Sequence, residues 1–234
     1  MIEWVGALIL GLGISMVIYF VSFSLMVAIA KRAKQRAEVI RDSPWRSSMI
    51  VSPLVLCFSL LVIFILSSGM LPFWGFQLPP LEIVGLLSII GLIMGIFVVL
   101  ASESFSPTPE KMSPPSDTRG RIFFFIAIVL LASISEEVLF RGFVQNIIDN
   151  TLLLAIDFGW FSISSGAIVS ALLFGIVHIA PARQTAASVP VLVSSAFILG
   201  LIAGIFLTLS GSLLLSIVVH IEFNLIGFIL VVRR

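Results

Sequence analysis

The sequence predicts an all-α, polytopic membrane helix bundle, and three observations carry that prediction. Of its 234 residues, 59% are hydrophobic and only 11% are charged, with a mean hydropathy of +1.23. A soluble domain carries about 25% charged residues. Seven apolar runs are each long enough, at about 20 residues, to cross a bilayer. The basic residues collect in alternate gaps between those runs, as they do in the cytoplasmic loops of membrane proteins.

The seven runs cover residues 4–30, 49–71, 81–101, 121–147, 160–180, 189–209 and 212–232. The stretch before the first lacks the positive leader of a cleavable signal peptide, so this run is expected to stay as a span. Residues 102–120 are polar and hold Pro107, Pro109, Pro114 and Pro115, which predicts irregular chain. Residues 150–159, flanked by Asp149 and containing Asp157, are expected to lie along the membrane interface. There is no internal repeat and no room for a separate soluble domain, so residues 1–234 form one membrane domain. Cys57 stands alone in an apolar run, which excludes an internal disulfide framework and reads as a buried or lipid-facing hydrophobe.

Charge placement gives the orientation. Lys31, Arg32, Lys34, Arg36, Arg41 and Arg46 lie between the first two runs. Putting them in the cytoplasm places 102–120, 181–187 and the terminal Arg233 and Arg234 on the same side. Twelve of the thirteen basic residues then fall there or at the adjoining edge at Arg121, and the opposite loops, 72–80 and 150–159, hold none. The N-terminus is therefore expected outside and the C-terminus in the cytoplasm. The basic stretch 31–46 reads as a topology signal; its alternative is a site for anionic lipid. A net charge of +1 gives no reason to expect nucleic acid as a partner.

The exception is Arg141, which follows Glu136 and Glu137 after the uncharged run 122–132. Ionisable groups at membrane depth cost several kcal/mol and mark function by default. On a helix Glu137 and Arg141, four apart, pair along one face. Glu136 points about 100° away and is left for other work. Both histidines also lie in apolar runs: His178 near the end of the fifth, and His220 in the seventh with Asn224 one turn on. One such histidine would read as an interhelical hydrogen bond. Two histidines, an asparagine and an unpaired glutamate on three spans predict a shared, water-containing cavity.

That set suits peptide hydrolysis. A carboxylate beside a histidine takes a proton from water and delivers it to a leaving amine. A histidine and an asparagine amide supply donors for the oxyanion of a tetrahedral intermediate. Glu136, His178 and His220 equally match the ligands of a catalytic zinc site, leaving one position for water. The residue types fit either mechanism. Other protease signatures are missing: there is no H-E-x-x-H and no G-x-S-x-G. The Ser/Gly groups at 164–166 and 210–212, and the small-xxx-small pairs Gly91/Gly95 and Gly200/Gly204, read as close helix packing. Glu222, two residues from His220, points elsewhere and reads as an interhelical or helix-end group.

These residues resemble the CPBP family, the CAAX prenyl endopeptidases and bacteriocin-processing or immunity (Abi) proteins. The family pattern is E-E-x-x-x-R, then F-x-x-x-H, then H-x-x-x-N. Here it stands as Glu136, Glu137 and Arg141; Phe174 and His178; and His220 and Asn224, in the family's order. The resemblance covers about 121–232; the earlier residues match only as hydrophobic spans. It implies an intramembrane endopeptidase whose site lies between helices. Glu136 and His178 would activate water, His220 and Asn224 would stabilise the oxyanion, and Glu137 and Arg141 would support them. No cofactor is implied by a glutamate-dependent mechanism. The metal alternative is zinc or another divalent ion held by Glu136, His178 and His220. The implied partners are membrane lipid and a peptide or protein substrate, prenylated in the eukaryotic members, and the compact chain suggests a prokaryotic cell membrane. A second function class is a non-proteolytic membrane binding or immunity protein that uses the same polar cluster, and a third is an ion or proton transporter. Two expectations strain against each other. The family is often drawn with eight spans rather than seven. At 1.5 Å per residue, Glu136 lies about 22 Å from an edge at Arg121, whereas His178 lies about 24 Å from the opposite edge. The fourth span must therefore start below the membrane surface or tilt.

Overall fold

The protein, described here from a computed structural model covering residues 2–32, 44–67 and 70–233, is an antiparallel helical bundle. Its helices are α1 (Ile2–Arg32), α2 (Pro44–Ser67), α3 (Leu81–Phe105), α4 (Thr118–Leu152), α5 (Ser165–Val177), α6 (Ile179–Thr185), α7 (Val189–Ser210) and α8 (Leu213–Val232). Seven helical segments, with α5 and α6 counted as one, are long and apolar enough to cross a membrane. The chain is therefore a multi-pass membrane protein of the expected class. Most of the basic stretch read as a topology signal, with anionic lipid as its alternative, lies outside the described residues, at 33–43.

The spans are not equivalent. About half of the most apolar window of α4 is buried inside the bundle, against 22% for α1, α2 and α3. Helix α4 is the axis; α1 and α2 pack against it, and α3 packs on α7 and α8, each of the three leaving much of its surface exposed. Cys57 of α2 is exposed. Close approach follows small residues: Ala167 and Ala171 of α5 meet Gly204 and Gly200 of α7, and Gly91 and Gly95 of α3 meet Val219 and Phe223 of α8. The Ser210-Gly211-Ser212 group instead makes the turn between α7 and α8. Gly211 takes φ +64°, a left-handed conformation that caps α7 through a bond to the Leu207 carbonyl. Ser212 Oγ donates to Gln77 O at 2.6 Å, tying that turn to the short loop after α2.

Two features depart from a regular bundle. Helix α4 contains two π-helical stretches, Phe125–Ala132 and Val138–Gln145, on either side of Ser133–Glu137. Such widened turns are rare and gather at functional sites. Backbone carbonyls along them are held by side chains. Asn146 Nδ2 donates to the carbonyls of Arg141 and Gly142, and Ser170 Oγ on α5 donates to that of Phe140. The second departure is the form taken by residues 150–159, whose secondary structure the sequence left open. Helix α4 runs on to Leu152, and the chain then forms an antiparallel hairpin, β1 (Ala155–Asp157) with β2 (Ser162–Ser164), in the register Ala155↔Ser164. The fifth span begins at Ser165 rather than Trp160. The reason is local: Asp157 accepts from Gly159 N in a tight turn. Asp149 then accepts from Ser164 Oγ and Gly166 N, both at 2.7 Å, fastening the returning strand to the end of α4. Ser164 caps α5 by accepting from Ala167 N.

Candidate active site

The segment between the two π-helical stretches presents Glu136 and Glu137 toward α8. Glu137 is fully buried, and its Oε1 accepts from His220 Nδ1 at 2.8 Å and lies 3.0 Å from Arg141 Nη1. Arg141 is fully buried too, and its guanidinium lies over the ring of Phe174 at 4.8 Å. A buried cation needs both a counter-charge and polarisable neighbours. Here Glu137 supplies the first, and Phe174 with Phe140 the second. Glu136 reaches the other nitrogen of the same histidine: its Oε2 is 3.8 Å from His220 Nε2, with the carboxylate side chain 23% exposed. His220 therefore stands between the two adjacent glutamates, with Glu137 fixing its Nδ1 side.

His178 closes α5, at the break before α6. Its Nδ1 is 2.6 Å from the carbonyl of Phe174, one turn back. A carbonyl only accepts, so Nδ1 carries the proton and Nε2 is left as an acceptor when the ring is neutral. Phe174 lies edge-on between the two histidines, its ring centre 4.6 Å from that of His178 and 5.5 Å from that of His220. Asn224, one turn beyond His220, donates from Nδ2 to Ser133 Oγ at 2.9 Å and to Ile128 O at 3.2 Å. Ser133 was not singled out in the sequence, nor was the use of Phe174 as a common wall. The first carries no pattern, being one of many serines, and the second needs the three-dimensional crossing of α4, α5 and α8.

A cavity of about 260 Å³ joins these groups. His178, His220 and Asn224 line it, and it extends to Ser102 and Glu103 of α3 and to the proline-rich loop at Pro109 and Met112. Glu136 is not part of that wall. The structure thus gathers His178, His220 and Asn224 on one space, and brings Glu136 to His220 rather than to His178. Among the described residues no three His, Cys, Asp or Glu side chains converge as a metal would need, so Glu136, His178 and His220 do not fit a three-ligand site. Glu222 sits at the middle of α8, not at its end. Its Oε2 is buried against Gly91 of α3 without a hydrogen-bond partner, away from the cavity.

Room for the Arg141 side chain is made on α7. A Cβ at Gly200 would stand 2.7 Å from Arg141 Nη2 and 3.1 Å from the backbone of Ala171. Gly200→Ala is therefore expected to lower stability by about 1–3 kcal/mol, the usual cost of overpacking. Thermal unfolding in detergent would show it as a lowered midpoint.

Fold and cluster together define a polytopic membrane protein with an ionisable site buried between helices. Residues 118–226 match the family model described as "Type II CAAX prenyl endopeptidase Rce1-like". That stretch is similar to the Rce1-like CAAX prenyl endopeptidases, and it contains every residue of the site named above except the α3 and loop walls. No curated protein and no solved structure matches the chain.

Proposed function

We propose that this protein is a membrane-embedded endopeptidase of the CAAX type. The observation that carries the reading is the convergence of His178, His220 and Asn224 on one cavity, with Glu136 at the far nitrogen of His220, inside the family-matched stretch. Water held in the cavity attacks the scissile carbonyl carbon. Its proton passes to Nε2 of His178, the free acceptor on the cavity wall, with Glu136, which lies beside His220, completing the base. The oxyanion that forms takes a hydrogen bond from His220 Nε2, and one from Asn224 Nδ2 when that amide turns one of its two N–H groups from Ile128 O or Ser133 Oγ into the cavity. Donation from Nε2 while Nδ1 donates to Glu137 means that both ring nitrogens of His220 carry hydrogen, one facing Glu137 Oε1 and the other the cavity. Collapse of the intermediate breaks the C–N bond, and the proton returns to the departing amine. No step uses a metal.

The cavity runs toward the end of the bundle that holds Lys111, Arg119, Arg121 and Arg183, so a substrate enters from the cytoplasmic side. That side suits the C-terminal segment of a cytoplasmic protein brought to the membrane by a hydrocarbon anchor such as a prenyl group. The N-terminus is then outside, the C-terminus in the cytoplasm, and a prokaryotic cell membrane is the proposed location.

Cleavage of a farnesylated CAAX peptide by purified protein, wild type beside Glu136→Ala, tests the reading. Product from wild type alone, unchanged by a chelator, is the expected result. Loss of wild-type cleavage on chelation would overturn the metal-free step, and equal cleavage by Glu136→Ala would overturn the role of Glu136. Should neither protein cleave while Glu136→Gln retains full activity in cells, the binding or immunity reading takes its place.

A further inference from the structure

At the end of α4 opposite the Arg119–Arg121 edge, the hairpin carries an apolar surface that nothing in the fold covers. Trp160 is 94% exposed, Leu153 84% and Leu154 64%, and Ile156 and Phe158 are each more than half exposed. Strand β2 packs against α7, whereas β1 has a free edge and all three of its residues are exposed. On a soluble surface this would be an aggregation hazard: a flat apolar edge with open backbone groups. No Lys or Arg occurs between Arg141 and Arg183, so the hairpin and its flanks offer no cationic group to an anionic partner. Asp149 is spent on Ser164 and Gly166, and Asp157 on the turn.

We infer that the hairpin 153–164 is a membrane-interface anchor: it seats Trp160, Phe158 and the Leu153–Leu154 pair in the headgroup and upper acyl layer of the leaflet facing away from the basic loops. Three observations support a lipid occupant. The patch begins at Leu153, directly after the last residue of the α4 span. Its residues are the aromatic and aliphatic types that settle at that depth, with Trp foremost. The length of α4 also matches. Its 35 residues extend about 52 Å, against about 40–45 Å for a bilayer with its headgroups, so a moderate tilt puts both ends of the helix in the two interfaces. Interfacial water and headgroups satisfy the open edge of β1, which the hydrocarbon core could not. This inference does not depend on the chain being a peptidase.

The test is tryptophan fluorescence of the full chain in proteoliposomes made with phosphatidylcholine brominated either near the headgroup or near the chain end. Subtracting the Trp160→Phe spectrum from the wild-type spectrum isolates Trp160 from the other three tryptophans. Emission blue-shifted from that of aqueous indole is expected. Shallow bromines should quench it about two-fold and deep bromines less, as for an interfacial ring. A Trp introduced by Leu154→Trp in the Trp160→Phe chain should report the same depth, which guards against a local misfold. Water-like emission quenched by aqueous acrylamide and untouched by either lipid would overturn the anchor. So would emission shielded from both lipid and acrylamide, which would mean that a second copy or another protein covers the patch.

Discussion

Glu137→Ala is expected to cost about 3–5 kcal/mol, the penalty for leaving a buried charge without its partner. Folded proteins hold only about 5–15 kcal/mol in reserve, so the variant should unfold at markedly lower temperature or fail to accumulate. The size follows from geometry. Glu137 Oε1 is shared by Arg141 and His220, both carboxylate and guanidinium are fully buried, and among the described residues no other anion is within ion-pairing distance of Arg141. The double variant Glu137→Ala/Arg141→Met removes both charges and should recover most of the lost stability, because an apolar replacement of a buried pair is often neutral. Thermal unfolding of the three proteins in the same detergent decides it. A Glu137→Ala chain as stable as wild type would show that the pair is not buried as described.

Glu136→Gln should have the opposite profile: normal folding, and a kcat lower by about 10²–10⁴, the range for a lost general base. Its side chain is partly exposed and bears no structural bond shorter than the 3.8 Å approach to His220. The geometry also yields a finer test, since Glu136 adjoins His220 whereas the proton-transfer role was read for Glu136 with His178. If Glu136 and His178 act as one base, then Glu136→Gln/His178→Ala should be no slower than the worse single variant, as groups acting as a unit are not additive. Additive losses, with non-additivity appearing instead for Glu136→Gln/His220→Ala, would move the base to the Glu136–His220 pair and leave His178 to orient the substrate. Peptide cleavage rates for the five variants beside wild type separate the two.

The fold was legible because lipid imposes a single demand, long runs free of charge, which composition meets without reference to tertiary structure. The orientation drawn from lysine and arginine remains an expectation of the same kind. What was not legible depended on contacts. The residues at 155–164 are apolar enough to continue a span, and only the Asp157 turn and the Asp149 clasp make them a hairpin. The π-helical turns of α4 leave no periodic trace in so uniformly apolar a run, yet they bear on where Glu136 points. In the site, the four-residue spacing of Glu137 and Arg141 correctly implied their pairing. It gave no hint that Glu137 would also hold His220, because that bond spans 83 positions of sequence. Glu222, read as an interhelical or helix-end group, faces a glycine of α3 at mid-helix.

The walls of the cavity come from two sources. His178, His220 and Asn224 belong to the stretch matched by the family, whereas Val98, Ser102 and Glu103 of α3 and the loop at Pro109 and Met112 lie before it. Chemistry and fit are thereby vested in separate lengths of chain. The groups proposed to react are held by Glu137, Arg141 and Ser133, and α3 packs on α8 at Gly91 and Gly95, while Ser102, Glu103 and the loop line the same cavity as His178 and Asn224. On the proposed function, exchanging residues 102–112 while keeping the part of α3 that packs on α8 would change which sequences are accepted more than the rate of bond breaking. Such chimaeras are the natural material from which to breed new specificities.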